Sequence, residues 1–121
     1  MRKSITPDHT RQAYQLAKDV YKGKLDIKTA QDKLEDAEMG RNSAGDYVRA
    51  FLRMMEGECY KRTINEYSTE HYLKMICADF GQRYLSKALS SVEQHIEYYE
   101  KQGHGKLPSI RAIHRKFSKK L

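Results

Sequence analysis

Residues 82–101, QRYLSKALSSVEQHIEYYEK, decide the fold class of this chain. Their apolar side chains recur every three or four positions, which is the spacing that aligns them on one face of an α-helix. Gly81 precedes the stretch and Gly103-His104-Gly105 follows it, and glycine is common where a helix ends. The stretch therefore predicts a long helix whose buried face consists of Tyr84, Leu85, Ala88, Leu89, Val92, Ile96 and Tyr99.

Toward the N-terminus, end signals of the same kind delimit further helices. Thr6-Pro7 is an N-cap residue followed by a proline, which is favoured in the first helical turn. Gly23 closes this first helix, and Asp26 caps a second one that ends at Gly40. Apolar residues at helical spacing between these ends predict that both helices bury one face.

The middle of the chain predicts a third and a fourth helix. Asn42 caps the third, which ends at Gly57. Residues 58–68 are polar and lack periodicity, so we expect a loop or a short helical turn there. Ser68 or Thr69 then caps the fourth helix, which leads to the glycine before the long helix.

A last short helix follows Pro108, and no segment shows the alternation typical of a half-buried strand. The sequence thus predicts an all-α fold, a compact bundle of five to six helices with a helix-turn-helix-like second and third helix. We expect one domain over residues 1–121, with a basic C-terminal segment over 101–121.

The excess positive charge lies at one end of the chain. The formal net charge is +7, yet residues 1–100 carry 16 basic and 16 acidic side chains, which cancel. A segment with basic residues alone either contacts a polyanion, where phosphate contacts add affinity, or is a solvated tail that keeps the protein in solution. The basic residues of this segment are Lys101, Lys106, Arg111, Arg115, Lys116, Lys119 and Lys120.

The residues that carry chemistry do not form a known catalytic pattern. No HExxH pair, zinc-ligand spacing, glycine-rich phosphate loop or Ser-His-Asp order is present. His95, between Glu93 and Glu97, is expected to be a surface or half-buried residue, and His104 to lie in a turn. We therefore expect no enzyme in this chain, with no catalytic residue, no metal site and no cofactor.

Two further features have alternative explanations. Gly45 falls inside the third helix, where glycine costs up to about 1 kcal/mol relative to alanine. Either another backbone or a ligand approaches the helix closely there, or an early glycine is simply tolerated. The second helix carries an acidic cluster that we expect to be a solvated face. The cluster consists of Asp32, Glu35, Asp36 and Glu38.

The second and third helices, joined by the turn 39–42, have the layout of a helix-turn-helix, in which the second helix enters the major groove. Arginine and asparagine are the usual readers of guanine and adenine edges. Any helical hairpin shares this layout, so the same residues also fit a solvated ridge. The side chains expected to face DNA are Arg41, Asn42, Ser43, Arg49 and Arg53, with the acidic Asp46 among them.

Residues 60–67, YKRTINEY, form a second candidate contact. Aromatic rings stack on bases, and lysine and arginine neutralise phosphate, so Lys61, Arg62, Thr63 and Asn65 are predicted to bind nucleic acid. The alternative is that Tyr60, Ile64 and Tyr67 pin the loop to the core while its polar residues cap helices. The third candidate contact is the basic end, with Arg111, Arg115 and Lys116.

Several features favour a cytoplasmic protein without a membrane segment. The apolar runs are far shorter than the roughly 20 residues that span a bilayer. No apolar stretch follows the basic N-terminus, so no secretory signal is expected. Cys59 and Cys77 have no CxxC partner, and they either pair or remain free thiols in a reducing cytosol.

Scattered residues between Asn42 and Glu100 resemble the helical module that precedes the nuclease domain in some bacterial HNH-type restriction endonucleases. The resemblance covers about half of the chain and implies a role in positioning such an enzyme on DNA. This chain has no His-Asn-His motif, so any cleavage would lie outside it. The resembling segments are 42–48 (NSAGDYV), 60–65 (YKRTIN), 79–81 (DFG) and 94–100 (QHIEYYE).

Two functions remain open at this stage. The first is a non-catalytic DNA-binding accessory domain, whose partners are DNA and a restriction or defence nuclease. The second is a protein-interaction or dimerisation module, a small adaptor with no affinity for nucleic acid, in which tyrosines anchor the partner.

Overall fold

A computed structural model describes residues 4–121, and these residues form six α-helices and no β-strand. The predicted all-α class with five to six helices is therefore confirmed. Residues 1–3, part of the stretch expected to lack a secretory signal, lie outside the described residues. In chain order the helices are α1 (Pro7–Tyr21), α2 (Ile27–Asp36), α3 (Arg41–Glu56), α4 (Glu66–Phe80), α5 (Gln82–Lys101) and α6 (Pro108–Ser118).

The chain divides into two compact units, and the boundary falls between Leu52 and Arg53, inside α3. The expectation of one domain over residues 1–121 stays a prediction. None of the helices in the described part is long and apolar enough to cross a membrane.

The predicted start of α1 and of α2 is confirmed by their caps. Thr6 Oγ1 accepts from the His9 backbone N–H at 3.1 Å, and His9 Nδ1 accepts in return from the Thr6 N–H at 3.1 Å. This reciprocal pair satisfies two N–H groups that have no partner within the helix. Asp26 Oδ1 does the same for α2, accepting from the Thr29 N–H at 2.8 Å.

The second helix ends at Asp36, so the predicted end at Gly40 is wrong. Glu38 adopts a left-handed backbone (φ 70°), and the N–H of Met39 donates to the Leu34 carbonyl at 2.9 Å. These are the marks of a Schellman ending, in which the side chain after the turn is buried. Met39 is indeed buried. The ending was missed because a glutamate, not a glycine, takes the left-handed position.

The predicted caps of α3 and α4 are also wrong. Asn42 lies inside α3, since Gly40 already accepts the first helical bond, from Ala44 N–H at 2.8 Å. Ser68 and Thr69 lie inside α4, and both are buried. The cap of α4 is Asn65, whose Oδ1 accepts from the Ser68 N–H at 2.8 Å.

In the first unit, the aromatic ring of Phe51 on α3 meets two rings of α1. It contacts Tyr14 edge to face at 5.2 Å between centroids, and Tyr21 at 6.3 Å. A Cβ on Gly45 would lie only 2.6 Å from Nε2 of Gln31, a residue of α2. The nearest groups are the ends of two flexible side chains, Gln31 and Arg49, and not the backbone that one explanation for this glycine requires.

In the second unit, α4, α5 and α6 contact one another in every pairing. Gly81 alone separates α4 from α5, with φ 92°. The basic end of the chain is folded rather than a loose tail, because α6 buries Ile110 and Phe117. His114 Nε2 also donates to the Leu89 carbonyl of α5 at 3.1 Å.

Two separate substitutions test whether Asn65 caps α4 and whether Asn42, the predicted cap of α3, lies inside that helix instead. Asn65→Ala removes a side-chain acceptor from the first turn of α4, so it should lower the free energy of unfolding by about 1 kcal/mol. Asn42→Ala, at an exposed position inside α3, should change it by less than about 0.5 kcal/mol. Urea unfolding of both variants measures this, and equal losses would contradict the assignment.

Candidate nucleic-acid interface

The segment 57–65 between α3 and α4 is held by polar side chains of α5. Gln94 Nε2 donates to the carbonyl of Gly57 at 2.9 Å, and Ser91 Oγ donates to the carbonyl of Glu58. His95 Nδ1 lies 2.6 Å from the carbonyl oxygen of Tyr60. Segment 57–65, called the cleft loop below, thereby finds partners for backbone carbonyls that neither a helix nor a strand satisfies.

His95 is fully buried, so the expectation of a surface or half-buried histidine is wrong. Its ring stacks on Tyr60, with 4.4 Å between centroids and 11° between planes, and its Nε2 lies 2.8 Å from Oγ1 of Thr63. Burial lowers the pKa of this imidazole, which favours the neutral form. The sequence does contain an indication of this burial, because Ser91 and His95 each lie directly before a residue of the predicted buried face of α5.

The alternative in which three residues of this region pin the loop to the core holds for two of them. Tyr60 and Ile64 are buried, whereas Tyr67 keeps 46% of its surface exposed, so the anchoring alternative is wrong for Tyr67. Burial also raises the pKa of the Tyr60 hydroxyl. That hydroxyl has no hydrogen-bond partner within residues 4–121. Such an unpaired group costs stability, because it loses water without gaining a protein partner.

The cleft loop and the end of α5 together border a cleft of about 400 Å³, called the α5 cleft below. Its aromatic side is ordered by ring contacts. Tyr99 meets His95 at 6.2 Å and His104 at 5.4 Å between centroids. The Lys61 ammonium lies 5.7 Å from the centre of the Tyr98 ring. The cleft is lined by Lys61, Arg62, Thr63, Tyr98, Tyr99, Gln102 and His104.

The electrostatic balance of the α5 cleft is positive. Neither Lys61 nor Arg62 forms an ion pair with another described residue, and both are exposed. Glu100 is neutralised by Arg111, whose nitrogens bind its two oxygens at 2.7 and 3.1 Å and lower its pKa. The C-terminal end of α5 adds roughly half a negative charge, which two full cations outweigh.

The arginines of the helix-turn-helix candidate are paired with acidic residues. Arg41 binds Asp32 at 2.7 Å and Glu35 at 2.6 Å, so part of the acidic cluster of α2 holds this arginine. Arg49, the next predicted arginine of α3, lies 3.7 Å from Asp46. The other predicted residues of this candidate are the exposed Asn42 and the half-buried Ser43.

The remaining predicted contacts lie in the second unit. Arg53 pairs with Glu58 at 3.3 Å, and Lys116 pairs with Glu70 at 3.1 Å. Asn65 is the cap of α4, which matches the alternative that polar residues of this segment cap helices. Arg115 is exposed on α6 and forms no ion pair with the residues that the structure describes. The structure thus brings Lys61, Arg62 and Thr63 together at one cleft.

A second recess, of about 450 Å³, lies between α4 and α6, and sequence reasoning missed it. The exposed ring of Tyr67 is parallel to that of His71, with 6.0 Å between centroids. Two lysines lie over the Phe117 ring, at 5.6 and 4.8 Å. Its lining is Tyr67, Glu70, His71, Lys74, Lys116, Phe117 and Lys120.

The lowered pKa of His95 makes the stability of the fold depend on pH. Its ordinary value is 6.5, so below that pH the unfolded chain binds a proton that the folded chain resists. Protons therefore favour the unfolded state, and the free energy of unfolding should fall as the pH decreases below about 6.5. Urea unfolding at successive pH values measures the decline.

The matched variant is His95→Gln, which has no group that titrates in this range. Its free energy of unfolding should fall less between about pH 7 and pH 5. The same slope in both proteins would contradict a role for His95. Long-range ¹H–¹⁵N spectra should also show the proton of this imidazole on Nδ1.

Within residues 4–121, no three side chains of His, Cys, Asp or Glu are grouped so that they could hold a metal ion. Cys59 and Cys77 are free thiols, and both are half-buried. Comparisons of the chain with protein-family models, with curated proteins and with solved structures find no match. Function is therefore inferred from the contacts within the chain.

Proposed function

We propose that this chain is a non-catalytic DNA-binding accessory domain and that the α5 cleft is its main contact. One observation carries the proposal. Lys61 and Arg62 are exposed without an acidic partner in the described chain, at a cleft that also offers a hydroxyl and aromatic rings. Cations that are not paired within the protein gain most from phosphate, because no existing ion pair has to be broken.

The other predicted cations rank lower for the same reason. Exposed ion pairs contribute only about 0–1 kcal/mol, so phosphate can displace the acidic partners at a small cost. Arg53, Arg111 and Lys116 would then add secondary contacts. Arg115 carries no such cost and belongs with the primary contacts.

The resemblance to the module of HNH-type restriction endonucleases supports the same location. Two of the resembling segments are residues 60–65 and 94–100. They are the two parts of the chain that meet at the α5 cleft. On this proposal the chain works in the cytoplasm and positions a restriction or defence nuclease, which would lie in a separate domain or protein.

The recess between α4 and α6 favours a second candidate, a protein-interaction or dimerisation module. An exposed tyrosine beside charged rim residues is typical of an interface anchor, and Tyr67 is such a residue. A tight homodimer, measured by light scattering, with no affinity for DNA would favour this candidate over the first.

DNA binding should weaken steeply as salt concentration rises. Each phosphate neutralised releases counterions and contributes about 0.9 to the slope of log K against log salt. Three primary cations therefore predict a slope near −2.7 on duplex DNA. Fluorescence anisotropy at a series of salt concentrations measures it, and the absence of binding at low salt would contradict the proposal.

Charge reversal at the cleft should weaken binding more than the same change elsewhere. Arg62→Glu should reduce the magnitude of the salt slope by about one and lower the affinity at low salt at least tenfold. Lys28→Glu, at an exposed position of α2, changes the net charge equally and should have little effect. Equal losses in both variants would point to net charge instead of the cleft.

A further inference from the structure

His95 determines whether the Thr63 hydroxyl donates or accepts hydrogen bonds. A carbonyl oxygen only accepts, so Nδ1 of His95, 2.6 Å from the Tyr60 carbonyl, must carry the hydrogen. In the neutral imidazole Nε2 is then an acceptor, and the Thr63 hydroxyl donates its hydrogen to it at 2.8 Å. Only the oxygen lone pairs of Thr63 remain for a ligand, so at this point the α5 cleft accepts hydrogen bonds.

This polarity does not match the DNA backbone. Phosphate and deoxyribose oxygens within a strand are acceptors only, and they suit the cations Lys61 and Arg62. The hydrogen-bond donors of DNA are the N–H groups of its bases, such as the amino groups of adenine and cytosine. A DNA ligand that satisfies Thr63 must therefore bring a base edge to the cleft.

The shape of the site decides how a base reaches it. Groove readers such as helices and β-ribbons project from the protein surface into the duplex. The α5 cleft is a recess, and its volume of about 400 Å³ is within the range of small-ligand sites. A base has to leave its stack to enter, and the rings of Tyr98, Tyr99 and His104 can replace part of the lost stacking.

We infer that the α5 cleft receives one unpaired DNA base, with its amino group donating to Thr63 Oγ1 and its flanking phosphates bound by Lys61 and Arg62. The inference rests on the proposed DNA binding, which it deepens by naming the structure that is bound. Bulges, mismatches and single-stranded ends offer such a base at low cost, whereas an intact duplex has to unpair first.

The test compares four duplexes with the unaltered protein at one low salt concentration. One duplex is fully paired, and each of the other three has a single bulged position. The bulged position is adenine in the second duplex, unsubstituted purine, which lacks the amino group of adenine, in the third, and an abasic residue in the fourth. The adenine bulge should bind roughly tenfold more tightly than the paired duplex. The abasic bulge has similar flexibility without a base, so it should lose most of this gain.

The purine bulge tests the Thr63 contact, since it stacks but cannot donate from position six. It should bind severalfold more weakly than the adenine bulge. In Thr63→Val this difference should vanish, and in Thr63→Ser, which keeps a hydroxyl, it should persist. Circular dichroism checks that both variants fold. If Thr63→Val does not fold, the comparison of ligands on the unaltered protein still decides the question.

The outcomes separate the two proposals. Equal affinity for the paired duplex and the adenine bulge would overturn the unpaired-base inference and leave DNA binding in place. A gain that the abasic bulge shares in full would overturn it as well, because bending alone would explain the gain. No binding to any of the four duplexes would overturn both proposals.

Discussion

The second unit depends on one set of contacts, the hydrogen bonds from α5 side chains to the cleft loop. A segment that is neither helix nor strand leaves carbonyl oxygens without partners, and burying them unpaired would cost free energy. Ser91, Gln94 and His95 lie on one face of α5 because their spacing is helical, and they satisfy three of those carbonyls in turn. The path of the loop, and with it the position of Thr63, therefore follows from the register of one helix.

The sequence predicted the helices better than their ends. Periodicity reports which face is buried, and α5 has the predicted bounds, while α6 begins at Pro108, the proline expected to precede it. End signals failed where a less common residue took the position: Glu38 in place of a glycine, and Asn65 ahead of the equally suitable Ser68. Local preferences of these residue types differ by a few tenths of a kcal/mol up to about 1, so packing elsewhere decides among them.

The candidate site could be predicted only in part, because the sequence shows which residues are charged but not which of them form ion pairs in the folded chain. The segment with Lys61 and Arg62 was recognised from its composition, and the structure places these residues at a cleft. The pairing of Arg41 with α2 and of Arg111 with α5 depends on how helices pack, which spacing along the chain does not report. The role of His95 could not be predicted for the same reason, since its partners Tyr60 and Thr63 precede it by 35 and 32 positions.

The contacts of His95 have a consequence for how a ligand would be received. Flexible loops lose conformational freedom when they bind, and that loss lowers affinity. Here the backbone at Tyr60 and the rotamer of Thr63 are already restricted in the absence of a partner, by a ring that stacks and bonds within the core. The entropy of ordering this part of the cleft is thus lost during folding, so a ligand bound there would not have to order it again.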